Sequence, residues 1–146
     1  MMCFQPMASL GGLLYNRFTT GFGRFGLSFQ QILEQLVAGV RGATGALLIE
    51  SDGEAVAWYS SEQPDRLRLR GAYVAVVLRA CQESALELGM GSISNLFISY
   101  EGAGFLAYEV GSGYFLVLEL NAASNMAEAL HRMAPFITRI RKEIEA

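Results

Sequence analysis

The sequence predicts an α/β (α+β) domain in which a mostly antiparallel sheet carries helices on its faces. Two observations lead there. Helical and strand-like segments follow one another as helix, hairpin, helix, three-strand meander, helix. The links between the strands are also hairpin-length and glycine-rich, which suits antiparallel neighbours, whereas parallel strands need long crossovers. A chain of 146 residues with 52% hydrophobic content has material for one domain and its core.

Residues 1–27 read as a glycine- and phenylalanine-containing extension without a sustained period, and the regular domain is expected over 28–146. Ser28 is placed to cap a first helix, in which Phe29, Ile32, Leu33, Leu36, Val37 and Val40 recur at spacings of three and four. Gly39 and Gly42 end it. Ala46-Leu47-Leu48-Ile49 is a short apolar strand, Asp52-Gly53 its turn, and Ala55 to Tyr59 its hairpin partner, with Val56 and Trp58 expected on one face. Pro64 and Asp65 open a second helix. After Gly89-Met90-Gly91, strands are expected over Ile93–Tyr100, Phe105–Val110 and Tyr114–Leu120. Asn125 then caps a last helix, with Glu128 at the capping-box position, and Met126, Leu130, Met133, Ile137, Ile140 and Ile144 form its stripe. Pro135 inside that stripe should kink the helix or split it.

The second helix, Arg66 to Leu88, is the informative one. One stripe runs Val74, Val77, Leu78, Cys81, Ala85, Leu88; another runs Tyr73, Val76, Ala80, with Ala72 and Ala75 beside it. A surface helix needs one apolar stripe, so a helix with two is covered on two sides. Either a second copy supplies the cover, or the helix is buried centrally within one chain.

Composition narrows the function. Charged residues make up 17%, below the roughly 25% of an ordinary domain, which again favours an oligomer. A formal charge of -3 leaves no broad basic footprint for nucleic acid. One histidine and two distant cysteines, Cys3 and Cys81, offer neither a zinc site nor a disulfide framework, and no cofactor is expected. No run approaches the roughly 20 apolar residues of a membrane span, and no secretory signal opens the chain, so a cytoplasmic location is expected.

Motifs for chemistry are weak. Gly21 to Gly26 fits G-x-G-x-x-G, but the polar Asn16-Arg17-Phe18-Thr19-Thr20 before it is no buried parallel strand. The meander downstream also lacks the strand–helix repeats of a dinucleotide fold. His131 has no nucleophile elbow for company and reads as a solvated helix residue; Glu50, Asp52 and Glu54 read as turn chemistry. No catalytic residue is expected. Arg66, Arg68, Arg70 and Arg79 gather on the second helix, although a helix N-terminus favours acids. They form either a solvated face balanced by Glu62 and Asp65, or a basic patch meeting an acidic partner. Trp58 and Tyr59 nearby are natural contact aromatics, and Trp58 equally suits the core.

From Ile32 to Ile144 the chain resembles the Roadblock (dynein light chain) family, in its MglB-like bacterial branch. The resemblance is carried by Leu33-Glu34-Gln35-Leu36 with Val40, Gly45-Ala46-Leu47-Leu48-Ile49, Asp52-Gly53-Glu54, the small and apolar helix Ala72–Leu88, and the glycine-spaced strands after it. It implies a Roadblock/profilin-like five-stranded sheet in order 2-1-5-4-3 sandwiched by helices, α-β-β-α-β-β-β-α. It further implies a homodimer in which the second helices pack through Ala72, Tyr73, Val76 and Ala80 and the third strands meet edge to edge near Ile93 and Leu96. Family members act as GTPase activators, as GTPase scaffolds or as motor-complex subunits. The expected function is therefore a homodimeric regulator of a Ras-like small GTPase, with Trp58, Tyr59, Arg66, Arg68 and Arg70 as candidate contacts and other Roadblock proteins as further partners. The alternative is a structural adaptor indifferent to nucleotide state.

Overall fold

The computed structural model describes residues 23–146, with side chains from Ser28 onward. The elements are α1 (Gly23–Gly39), β1 (Ala43–Glu50), β2 (Ala55–Ser60), α2 (Pro64–Glu87), β3 (Asn95–Ser99), β4 (Ala103–Gly111), β5 (Tyr114–Asn121) and α3 (Met126–Glu145). The strands form one sheet in the order β2-β1-β5-β4-β3, every neighbouring pair antiparallel. Both the element order and the strand order agree with the expected architecture.

Burial explains the order. Six consecutive residues of β1 and six of β5 are buried, so these strands need cover on both faces and lie inside the sheet. The outer strands β2 and β3 are only partly buried. Along β5 the side chains alternate: Leu116, Leu118 and Leu120 join the core under α1 and α3, while Phe115 and Val117 join the core under α2. The first core is the larger and takes Leu33 and Leu36 from α1 and Met133 and Ile140 from α3. The second takes Leu67, Val74 and Leu78 from α2 against Leu47, Ile49 and Phe105.

Several local expectations need correction. Helix α1 starts at Gly23, so Ser28 sits inside it rather than at its cap; no proline stands between them to stop the helix. Gly23 and Gly26 of the glycine motif thus belong to a helical turn, and Gly21 lies outside the described residues, as does the rest of the extension before Gly23. A bulge between Leu48 and Ile49 puts Ala55, rather than Val56, with Trp58 against the α2-side core. The third strand is shorter than expected, which leaves Ile93 in the connection before it. Pro135 does not split the last helix, which runs unbroken from Met126 to Glu145. Asn125 caps that helix as expected, its side chain accepting from the Glu128 N–H at 3.1 Å. Gly42 ends the α1 turn with φ +84°, and a Cβ there would meet Ser124 Cβ at 2.7 Å, so both conformation and space demand glycine.

Candidate protein interface on the second helix

Leu67, Gly71, Val74, Ala75 and Leu78 are the residues by which α2 meets the sheet. The stripe Val74, Val77, Leu78, Cys81, Ala85, Leu88 is turned to the sheet only in part: Val77 is 38% exposed and Leu88 73% exposed, while Ala75, from beside the other stripe, is buried. Geometry gives the reason. A helix of 24 residues extends about 36 Å at 1.5 Å per residue, and its buried positions stop at Leu78, so its last turns overhang the core.

Two leucine–glycine contacts seat the helix. A Cβ on Gly45 of β1 would lie 2.7 Å from Leu67 Cδ1 of α2, and one on Gly71 of α2 would lie 2.9 Å from Leu47 Cδ2 of β1. Each element therefore offers a glycine hollow to the other's leucine, and helix and sheet approach closely.

The opposite side of α2 is apolar and uncovered. Tyr73 is 68% exposed, Val76 65%, and Leu69 60%; with exposed Ala80 they form a stripe at spacings of four, three and four. Ala72 is exposed beside it. Leu69 is the member that sequence reasoning missed, because it sits in the alternating run Arg66-Leu67-Arg68-Leu69-Arg70, which has no helical period; its spacing to Tyr73 was the available signal. On one flank the stripe borders a shallow groove that includes Val77, Cys81, Ala85, Leu88 and Met90. Of the two expected strand contacts, Leu96 lies on the edge strand β3 half-buried against the α2-side core, and Ile93 precedes it, also half-buried.

The arginines at the start of α2 are differently employed. The Arg70 guanidinium donates to Glu119 Oε2 at 2.8 Å, and Thr44 Oγ1 donates to Glu119 Oε1 at 2.6 Å. Glu119, 4% exposed, is a carboxylate on the α2 face of central β5, buried because β1 and α2 each satisfy one of its oxygens. A charge within the apolar run Tyr114–Leu120 was the sequence signal for it. Arg68 lies over the Trp58 ring, 4.4 Å from its centroid, and Trp58 packs against the α2-side core. Arg79 donates to the Asp52 carbonyl at 2.7 Å and so ties α2 to the β1–β2 turn. Arg66 is exposed and pairs with none of the described residues. It borders a polar hollow with Ser60, Glu62, Gln63, Arg70 and Glu119. The structure thus brings Trp58, Arg66, Arg68 and Arg70 to one end of α2. Tyr59 is not among them; it lies on the opposite sheet face, against the α1 and α3 core.

Elsewhere, burial, the hydrogen bond to Glu50 and the charge of Glu50 push the Tyr114 hydroxyl above its ordinary pKa. Among the described residues no group of three or more His, Cys, Asp or Glu is placed to hold a metal, and no helix is long and apolar enough to cross a membrane.

A five-stranded antiparallel sheet in order 2-1-5-4-3, with one helix on one face and two on the other, defines a Roadblock-type domain. The chain belongs to the Roadblock/LC7 family, whose domain model matches residues 29–119. It is similar to a Roadblock/LC7 domain from Streptomyces avermitilis, with 18% identity, TM-score 0.72, and coverage of 80% of this chain and 98% of that one. It is likewise similar to the gliding protein MglB from Thermus thermophilus, with 22% identity, TM-score 0.73, and coverage of 83% and 91%. An MglB with a tetrameric arrangement is a third such structure, at 23% identity, TM-score 0.70, and coverage of 79% and 86%. No curated protein matches the chain significantly.

Proposed function

We propose that this chain is a homodimeric regulator of a Ras-like small GTPase, acting by protein–protein contact as activator, effector or scaffold. The observation that carries this reading is the exposed stripe of Leu69, Tyr73, Val76 and Ala80 on a helix whose other side already faces the core. Large apolar residues at helical spacing, open to water, mark an interaction surface. The open edge of β3 beside the α2-side core offers a second contact for the same partner. Self-association also suits the likeness to an MglB with a tetrameric arrangement.

The GTPase reading rests on the family resemblance, because Roadblock proteins include GTPase activators and scaffolds. Chemistry limits how such an activator works here. Arg70 neutralises Glu119 and Arg68 rests on Trp58, so two of the three arginines expected at the contact are held within the domain. Acceleration of GTP hydrolysis would then come from positioning the GTPase's own switch elements, with exposed Arg66 the one of the three left to reach a bound nucleotide.

The test is binding of the purified protein to Ras-like GTPases of the same genome, each loaded with a GTP analogue or with GDP. Preference for the GTP-loaded form is expected. Equal binding to both forms would point instead to an adaptor indifferent to nucleotide, and no binding to any of them would overturn the GTPase reading.

A further inference from the structure

Helix α2 carries its core-facing stripe beyond the core. Val74 and Leu78 are each 3% exposed; Cys81, Ala85 and Leu88 follow them at spacings of three and four, yet Leu88 is 73% exposed. The last turns are nonetheless built to hold their shape. The Met90 N–H donates to the Ala85 carbonyl at 2.8 Å and the Gly89 N–H to the Leu86 carbonyl at 3.2 Å, with Gly89 at φ +69°. This glycine-ended turn closes the helix and brings Met90 back beside Ala85. Val77, Cys81, Ala85, Leu88 and Met90 thus line a shallow groove of about 500 Å³, which shares Val76 and Ala80 with the outer stripe. Unlike the outer stripe, it continues the side of α2 from which Val74 and Leu78 reach the sheet.

We propose that this groove receives residues 1–22 of the same chain, through Leu13, Leu14, Tyr15 and Phe18. The inference rests neither on the GTPase reading nor on self-contact through the outer stripe. Topology brings segment and groove together. Only Val40, Arg41 and Gly42 join α1 to β1, so α1 runs back along β1, and Gly23 lies at the end of the sheet that holds the Asp52-Gly53 turn. Helix α2 passes that same turn: Arg79 donates to the Asp52 carbonyl, and a Cβ on Gly53 would meet Ala75 Cβ at 3.0 Å. Residues 1–22 therefore join the fold at the end over which α2 projects, on the other face of the sheet. Each helix layer packs about 10 Å from the sheet, so about 20 Å separates the two layers. The chain from Leu14 to Gly23 reaches about 30 Å when extended, which is enough. Twelve of the 22 residues are apolar and Arg17 is the one charged side chain among them, so the segment gains by leaving water. Arg17 stands between Tyr15 and Phe18, and α2 offers exposed Glu83 and Glu87 on the turns that carry the groove. A tethered segment also meets its site at an effective concentration on the order of millimolar, which a separate partner rarely matches. A partner that needs the end of α2 must displace the segment, which thus acts as a competitor built into the chain.

Cys81, a free thiol, reports on the groove that it lines. In the full chain with Cys3→Ser it is the sole cysteine, and its rate of alkylation by a small neutral maleimide, followed by mass spectrometry, measures how often the groove is open. The comparison is the same chain with Leu13→Ser, Leu14→Ser and Phe18→Ser added, and circular dichroism melts check that both chains fold. The added substitutions are expected to speed alkylation about tenfold, and equally at about 1 µM and about 100 µM protein, because a tethered occupant is insensitive to concentration. Equal alkylation rates in the two chains at both concentrations overturn the proposal. Protection of Cys81 that fades on dilution in both chains assigns the groove to a second copy; it overturns the proposal too and leaves the homodimer reading standing.

Discussion

Arg66 and Arg70 stand four residues apart on the same helix, yet their environments give them opposite meanings. Arg70 compensates a carboxylate that is 4% exposed, while Arg66 meets only water and the polar hollow beside it. Arg70→Ala leaves Glu119 with a single neutral donor, the Thr44 hydroxyl, at the rim of an apolar core. Removing one partner of a wholly buried pair costs several kcal/mol; the half-exposed Arg70 guanidinium lowers that to about 2 kcal/mol. Arg66→Ala is expected to change stability by less than about 1 kcal/mol. Urea unfolding of both variants checks the contrast, and equal losses would mean that Glu119 is satisfied without Arg70. Sequence showed that the arginines cluster but not which is spent, because the partner of Arg70 lies 49 residues away on another element. Trp58 and Tyr59 teach the same lesson. As neighbours in sequence they read as a pair of contact aromatics, yet the pleat of β2 sends them to opposite faces.

At the scale of elements, most of the fold was legible. Helix α1 and the strands announce themselves by period and by glycine-rich turns, and Asn125 caps α3 as its position suggests. The orientation of α2 was not, because the helix has apolar residues on nearly every side and periodicity alone does not say which side faces the sheet. Two glycines settle it. Gly71 on α2 and Gly45 on β1 leave hollows for Leu47 and Leu67, and the face containing Leu67 and Gly71 is the one seated on that surface. Gly45→Ala places a methyl group against Leu67, which is itself fully buried, and is expected to destabilise by about 2 kcal/mol through overpacking. Gly71→Ala makes a similar clash, but alanine is favoured over glycine within a helix by about 1 kcal/mol, so its net cost is smaller. The midpoints of urea unfolding should rank native, Gly71→Ala, Gly45→Ala in falling order. The reverse order of the two variants would mean that Leu67 moves aside more readily than Leu47.

For the whole molecule, the decisive property of Val76 is that it is apolar, central to the outer stripe and 65% exposed. In a lone protomer an aspartate there stays hydrated, so Val76→Asp should leave folding within about 0.5 kcal/mol of the native chain. In a dimer closed through α2 it becomes costly, because symmetry brings two carboxylates together at the centre of an apolar contact. If the net penalty is about 3 kcal/mol, the dissociation constant rises more than a hundredfold, at about 1.4 kcal/mol per decade. The expected result is a folded monomer at concentrations where the native chain is a dimer, read by sedimentation velocity alongside a thermal melt. That combination separates a surface defect from a core defect: a core substitution would lose fold and dimer together, whereas this one keeps the first and loses the second. A variant that stays dimeric with unchanged affinity would move the self-contact away from α2. The open edge of β3 would then be the remaining place to look, since there Asn95 to Ser99 offer backbone groups that β4 pairs on one side only.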